Sequence, residues 1–340
     1  MRKIVFALAV VAVAAGIPGC SSNSSTNPPA AVTDQQAVTQ IVTSVDSVAQ
    51  FLSSEEATVN DGGLQLVDAG GTTVPKEIRP ELGVLRASAS DSVVEWGRSV
   101  NVAQIVRSYD VVMSGDTLAI VTITKQVPGE FLVAWGTRPF PTSDSVVIDT
   151  IVHKPFTEVT LRKVRLKRIA RGSDPLRNWV LVSITFVTSK TEGSVTFGID
   201  SLEIRDDQIG FDSTYTNPLQ TWFRFGRFRE SIPIFHAGDT VTVRLSVSGS
   251  DSLPEIVTLH HGIAGTGSLP FRERMFLVAQ TGGPGNHTRI FQRKFVARLP
   301  LGALIGRFNA LADVFPRRCV YLNSARYENE FWGLPYIVIR

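Results

Sequence analysis

The stretch from Glu158 to Thr188 constrains the fold more than any other, because it has the pattern of two long β-strands joined by a short polar turn. Its second arm alternates β-branched and aromatic residues with more polar ones from Val180 to Val187. This period of two is typical of strands. Between the arms, Asp174-Pro175 breaks the pattern, since proline fixes its own φ and disfavours a helical conformation just before it. The stretch therefore predicts a β-rich fold with an antiparallel hairpin at its centre.

The first arm of this hairpin is densely basic. Between residues 162 and 171 there are six cationic side chains and no carboxylate. The apolar residues between them change parity twice, which predicts bulges in a curved sheet. The six cations are Arg162, Lys163, Arg165, Lys167, Arg168 and Arg171.

The basic arm supports two interpretations. In the first, an exposed stripe of cations binds an anionic glycan or a phosphate group. In the second, the strand lies on a solvated face of the sheet. At least two of the six cations then lie near carboxylates, and the others are solvated. Candidate acids for the second interpretation are Asp110, Glu130 and Asp149. The candidate anion-binding residues of the first are Arg162, Arg165, Lys167 and Arg168.

Residues 1–20 predict export rather than fold. Arg2 and Lys3 form a positive start, and the apolar run from Ile4 to Ala15 is too short to span a bilayer comfortably. The following Ile-Pro-Gly-Cys, residues 17–20, resembles a bacterial lipobox. That resemblance implies cleavage before the cysteine and acylation of Cys20.

Both interpretations of this segment, a lipobox and a plain secretory signal, predict export. Pro18 departs from the small residue usual in a lipobox, and a plain secretory signal with an incidental cysteine is the alternative. Ser21 follows Cys20 where an aspartate would retain a lipoprotein in the inner membrane, so the resemblance implies the outer membrane. Residues 21–31 are rich in Ser, Asn and Pro and predict a flexible tether.

The first half of the mature chain predicts an α+β domain over residues 32–191. Thr33 to Gln36 fits a capping box, and apolar residues at helical spacing continue to Leu52. One long helix followed by strands in series predicts a cystatin-like domain, a curved antiparallel sheet wrapped on one helix. The strands are expected at residues 92–105, 107–113, 117–125, 130–135 and 145–152.

The second half, residues 192–340, changes to short strands separated by turn residues, with no convincing helix. Evenly spaced short strands of this kind predict an immunoglobulin-like β-sandwich. Trp179 and Trp332 each adjoin a turn and an apolar strand, so each is predicted to be a buried anchor. The expected fold is thus mainly β, with two domains behind a signal peptide and a tether.

Four short pieces of the chain resemble uncharacterised bacterial lipoproteins that pair a cystatin-like domain with an immunoglobulin-like domain. The resemblance spans most of the mature chain, and its motifs are structural. It implies no catalytic residue, because the family carries no assigned activity. The pieces are Trp96-Gly97-Arg98, Lys154-Pro155-Phe156-Thr157-Glu158, Arg177-Asn178-Trp179 and Phe331-Trp332-Gly333-Leu334-Pro335-Tyr336.

The remaining polar residues supply no catalytic set, metal site or cofactor motif. No Gly-x-Ser-x-Gly elbow occurs, and Gly249 to Leu253 reads as a turn rather than an esterase motif. His260 and His261 are adjacent, so on a strand they point to opposite faces and cannot readily share one metal ion. Cys319 has no second cysteine beyond Cys20 and is predicted to be a small buried hydrophobe.

The small net charge and the predicted export together argue against nucleic acid as a partner. The chain has 34 Lys and Arg residues against 31 Asp and Glu residues, and two of the cations lie in the segment expected to be removed. The leading hypothesis is a non-catalytic, membrane-anchored envelope protein that binds or scaffolds a protein or glycan partner. A small-ligand-binding or enzymatic pocket between the helix and the curved sheet is the first alternative. An anionic-glycan binder that uses residues 162–171 is the second.

Overall fold

A computed structural model describes residues 33–44, 65–66, 92–137, 147–193, 196–225, 232–262, 271–283, 285–299 and 302–340. The predicted signal peptide, the tether and Cys20 lie outside these residues. In the described part of the chain the fold is mainly β, as predicted. Residues 33–340 make up one compact unit.

The described residues contain two α-helices and seventeen strands. The helices are α1 (Asp34–Ser44) and α2 (Arg318–Tyr321). The strands are β1 (Gln65–Leu66), β2 (Ser92–Val100), β3 (Val106–Ser114), β4 (Leu118–Thr137), β5 (Val147–Arg168), β6 (Trp179–Thr191), β7 (Phe197–Asp206), β8 (Phe211–Tyr215), β9 (Phe223–Arg224), β10 (Ile234–His236), β11 (Thr240–Gly249), β12 (Ile256–His261), β13 (Phe271–Arg274), β14 (Phe276–Gly283), β15 (Asn286–Val296), β16 (Ile305–Phe315) and β17 (Glu330–Ile339).

These strands form two sheets. The first sheet has twelve strands in the order β1-β2-β4-β5-β6-β17-β16-β12-β13, with β3 beside β4, β9 beside β6 and β10 parallel to β17. The second sheet has five strands in the order β14-β15-β11-β7-β8. The first sheet is curled: Arg272 on β13 lies 3.6 Å from the ring centroid of Trp96 on β2, although many strands separate β13 from β2 in the pairing order.

The central hairpin confirms the sequence prediction. Its basic arm is the second half of β5 and its apolar arm is β6, joined through a short 3-10 turn at Pro175–Arg177. The β5–β6 register shifts twice, between Arg162 and Val164 and between Arg165 and Leu166. The extra residue at each shift belongs to β6, whereas β5 keeps continuous register with β4 here. The predicted bulges therefore occur in this hairpin, but on its apolar arm.

The two strands predicted at residues 117–125 and 130–135 are one continuous strand, β4. Pro128 and Gly129 lie in the gap between the two predicted strands. On one side, β4 pairs with β3 up to Gln126 and with β2 from Gly129 onward. Pro128 thus falls between two neighbours, where its missing N–H leaves no ladder position unpaired.

Helix α1 begins with the predicted capping box. Thr33 Oγ1 accepts from the Gln36 N–H at 3.2 Å, and Gln36 Oε1 accepts from the Thr33 N–H at 2.9 Å. The helix is short at 11 residues, and the predicted continuation to Leu52 lies outside the described residues. It packs on β3, β6 and the 3-10 turn, with Val38 and Val42 fully buried.

The predicted division into cystatin-like and immunoglobulin-like domains at residue 192 is not confirmed. Strand β6, which precedes that boundary, pairs with β17 at the end of the chain, with Val187 opposite Gly333. Backbone hydrogen bonds therefore continue from the first half of the chain into the second within a single sheet. The two domain assignments stay predictions.

Two apolar clusters hold the layers together. The larger cluster contains α1 and residues from both sheets, including Val243, Leu259 and Leu334. The smaller lies inside the curl and includes Phe131, Phe315 and Tyr327. Trp179 and Trp332 are 3% and 5% exposed in the larger cluster, so the prediction that both are buried is confirmed.

Candidate ligand-binding cleft

The four predicted anion-binding residues do not share one surface, and Arg162 is the clearest departure. Its side chain is fully buried on the concave face of the first sheet, where a guanidinium nitrogen donates to Asn309 Oδ1 at 2.9 Å. Alternation along β5 directs Arg162 inward and its neighbours Lys163 and Arg165 outward. Arg162 is therefore buried and unavailable to an external anion.

The other three predicted residues lie outside the curl in separate settings. The Arg165 guanidinium lies 4.0 Å from the ring centroid of Trp222, a cation–π contact. Arg168 forms an ion pair with Asp34 and also lies over the ring of Trp179 at 5.2 Å. Lys167 is exposed.

The prediction that at least two of the six cations lie near carboxylates is confirmed. Arg168 pairs with Asp34, and Arg171 pairs with Asp116. The acids are not those expected from the sequence. Glu130, one of the predicted partners, instead lies 2.9 Å from His153 Nδ1.

A buried polar network crosses the inside of the curl. Arg98 on β2 donates to Asp313 Oδ2 on β16 at 2.7 Å and lies 3.6 Å from Glu158 on β5. His260 on β12 approaches the same Asp313 oxygen at 3.4 Å and Thr258 Oγ1 at 3.1 Å. All five side chains are buried, so the network ties strands from both ends of the curled sheet.

The electrostatics of this network keep Asp313 ionised. Burial raises the pKa of the Asp313 carboxyl, but the Arg98 guanidinium, together with His260 and Arg272, outweighs burial and lowers the pKa to about 2. Ser189 extends the network by donating to Glu158 Oε2 at 3.1 Å. Charges paired in this way stabilise a fold only while every partner is present.

Aromatic rings fill the rest of the curl. Phe131 stacks on Tyr327 with centroids 4.5 Å apart, and Trp96 meets Phe315 edge-on at 4.9 Å. Phe156 lies 4.9 Å from the same Tyr327 ring. Among the described residues, the inside of the curl is therefore packed rather than hollow.

The candidate site is a cleft at the open end of the curled sheet. Its volume is about 550 Å³, within the range of small-molecule sites. One wall is formed by Trp135 near the end of β4 with Asp149 and Thr150 near the start of β5. The other wall is residues 321–324, the end of α2 and the loop that follows it.

Unequal strand lengths produce this cleft. Strands β4 and β5 have 20 and 22 residues, whereas β6 has 13 and pairs with β5 only from Glu158 onward. Residues 147–157 of β5 therefore project past β6, with β4 as their paired neighbour. The segment around α2 covers this projecting half, and the cleft lies between the two.

Lys154 fixes the second wall to the first. Its Nζ donates to the carbonyl oxygens of Cys319, Leu322 and Ala325 at 2.8, 2.5 and 2.8 Å. These carbonyls belong to the end of α2 and the turn after it, where a cation is favoured by the helix dipole. Burial lowers the pKa of Lys154. The ammonium is thus committed to the loop and does not serve as a free cation in the cleft.

The cleft combines aromatic surface with hydrogen-bonding groups. Trp135 and Tyr321 are half-buried, whereas Asp149, Thr150, Asn323 and Ser324 are exposed. The Trp135 indole nitrogen is buried and has no hydrogen-bond partner within the described part of the chain.

Sequence reasoning did not find this cleft. Asp149 was considered only as a partner for the basic strand, and Trp135 only as part of a strand. The four residues of the second wall, 321–324, lie far from both in sequence. The signal available was local: the run Tyr-Leu-Asn-Ser places an aromatic residue and two polar ones in a turn.

The loop that superficially resembles an esterase motif is a structural turn. Arg289 donates to the carbonyl oxygens of Asp251, Ser252 and Leu253 at 3.0, 2.9 and 3.0 Å. The same guanidinium binds Glu255 at 3.0 and 3.1 Å. Both the arginine and the glutamate are buried, so they hold the loop in place.

The histidine pair separates as strand geometry requires. His260 faces Asp313 inside the curl, whereas the His261 ring stacks on Phe295 with centroids 4.5 Å apart. Among the described residues, no group of three or more His, Cys, Asp or Glu side chains could hold a metal ion. Cys319 is buried as predicted, and burial raises the pKa of its thiol to about 11.

No helix in the described part of the chain is long and apolar enough to cross a membrane. Comparisons with protein-family models, with curated proteins and with solved structures find no match for this chain.

Proposed function

We propose that this protein is a non-catalytic, lipid-anchored protein of the bacterial cell envelope that binds a small ligand in the cleft beside Trp135. The cleft carries the proposal: about 550 Å³ of open volume, two aromatic side chains and several exposed hydrogen-bonding groups in one place. The lipobox resemblance at residues 17–20 supports the anchor, and Ser21 supports the outer membrane as its address.

The charge distribution supports binding rather than catalysis. Asp149 is the one carboxylate among the described lining residues, and general acid–base chemistry usually needs a second positioned group. The titratable groups with strongly shifted pKa values are buried elsewhere. Asp313 is inside the curl, and Tyr336, whose pKa is raised by burial, is fully enclosed between the sheets.

The structure weighs against the two alternatives in their original form. The pocket described here lies beside α2, whereas the first alternative placed it between the N-terminal helix and the sheet. For the anionic-glycan alternative, Arg162 is buried and Arg168 is paired with Asp34. Arg165 and Lys167 alone make a weak anion site at the ionic strength of an envelope.

The anchor is tested by mass spectrometry of the protein from bacterial membranes. We expect an acylated Cys20 at the new N-terminus, and we expect Cys20→Ala to be released from the membrane fraction. An unmodified Cys20 within an uncleaved chain would contradict the lipid anchor.

The cleft is tested by labelling the full chain with 5-fluorotryptophan and screening a library of small fragments by ¹⁹F NMR in detergent micelles. The five tryptophans give separate reporters, and Trp135→Phe assigns the resonance of the cleft. We expect some fragments to shift the Trp135 resonance while leaving that of buried Trp179 in place. A library in which no compound shifts the Trp135 resonance would refute the cleft as a binding site.

A further inference from the structure

The geometry points to a saccharide as the ligand of this cleft. The inference rests on the proposed function, because it names the ligand class for the same site. Three properties of the lining carry it: its charge, its hydrogen-bonding groups and its aromatic surface.

The charge of the lining disfavours anions. Asp149 is exposed at the cleft wall and no cationic side chain is among the described lining residues. The nearby ammonium of Lys154 is committed to three backbone carbonyls. A phosphate, nucleotide or carboxylate ligand would meet a like charge, with no compensating cation within the described lining.

The hydrogen-bonding groups match a ligand rich in hydroxyls. Thr150 and Ser324 each donate and accept, Asn323 offers both an amide donor and a carbonyl acceptor, and Asp149 accepts. Such a mixture suits hydroxyl groups, which also donate and accept from one atom.

The aromatic surface suits both a saccharide and an organic cation, and the hydrogen-bonding groups distinguish the two. Trp135 and Tyr321 present ring surface against which the C–H face of a pyranose can pack. A quaternary ammonium group would also be attracted to these rings. It has no donor or acceptor, however, so Thr150, Asn323 and Ser324 would lose water without gaining a partner.

The test titrates the 5-fluorotryptophan-labelled full chain, in detergent micelles, with chitotriose, cellotriose, maltotriose and tetramethylammonium chloride at millimolar concentrations. We expect at least one trisaccharide to shift the Trp135 resonance saturably, with the resonance of Trp222 as the internal control. Asp149→Asn should weaken that affinity about tenfold, since it removes a charge-assisted hydrogen bond. Asp110→Asn, an exposed carboxylate on β3, should leave the affinity within about twofold.

The outcomes separate this inference from the proposed function. If none of the trisaccharides shifts the Trp135 resonance while library fragments do, the saccharide inference fails and the cleft stands as a binding site. A shift caused by tetramethylammonium alone assigns the cleft to organic cations and also overturns the inference. A trisaccharide shift that Asp149→Asn and Asp110→Asn weaken equally would place the sugar outside the cleft and overturn it as well.

Discussion

Acid should destabilise the folded protein through His261 before it protonates the buried carboxylate of Asp313. The His261 ring is 4.5 Å from that of Phe295 and 5.5 Å from that of Phe271, and its Nε2 lies 3.4 Å from a Glu273 oxygen. Burial lowers the pKa of His261 from 6.5 to about 4, because the attraction of Glu273 is too weak to offset desolvation and the repulsion of His260 and Arg293. The imidazole is therefore neutral in the folded state at neutral pH.

The sign and size of the effect follow from this shift. Below about pH 6.5 His261 is protonated in the unfolded chain but stays neutral in the folded chain. The free energy of unfolding therefore decreases as the pH is lowered, until His261 is also protonated in the folded chain. The full shift corresponds to roughly 3 kcal/mol, of which about 2 kcal/mol is lost between about pH 7 and about pH 5. Asp313 adds nothing in this window, because its pKa is lowered and its contribution is lost only below about pH 4.

Urea unfolding of the wild type and of His261→Gln at several pH values measures this term. We expect the wild type to lose about 2 kcal/mol more than the variant between about pH 7 and about pH 5. His153→Gln is the matched control, because the His153 side chain is 56% exposed. Parallel pH profiles for the wild type and His261→Gln would refute the reasoning.

Three substitutions test the packing around the cleft and the curl. Lys154→Met should lower the free energy of unfolding by about 2–4 kcal/mol, because carbonyls of the α2 loop lose their donor. Amide hydrogen exchange at Leu322 should become faster, and unchanged exchange there would contradict the role of Lys154. Arg98→Met should cost about 3–5 kcal/mol by urea unfolding, since Asp313 would become a buried charge without its main partner; a cost below about 1 kcal/mol would show that water reaches the curl. Trp332→Ala should cost about 3–5 kcal/mol in the same assay; a cost within about 0.5 kcal/mol would mean the side chain is dispensable for packing.

Local features of the fold could be predicted from the sequence. The hairpin, the capping box at Thr33 and the burial of Trp179 and Trp332 all follow from period, proline position and apolar neighbours. Each depends on residues that are close together in the chain. Local chemistry decides such features, so a single sequence is enough to find them.

Long-range pairing could not be predicted in the same way. The change of pattern after residue 192 suggested a new domain, but β17 returns to pair with β6, and nothing local in either strand specifies that partner. Arg162 was expected at the surface because strongly basic strands usually face water. Its burial depends on Asn309, a residue from the far end of the chain that faces it only once the sheet has curled.

One structural feature accounts for both the sealed interior and the open cleft. Because β4 and β5 are far longer than β6, the second half of β4 and the first half of β5 extend past the rest of the sheet and must be closed by something other than a strand. In the middle, Arg98 and Asp313 close the curl by joining β2 to β16. At the end, α2 and its loop cover the projecting strands through Lys154, which donates to three backbone carbonyls. A cover held through its backbone leaves the side chains of residues 322–324 exposed, so these residues can be substituted without loss of the contact that closes the fold.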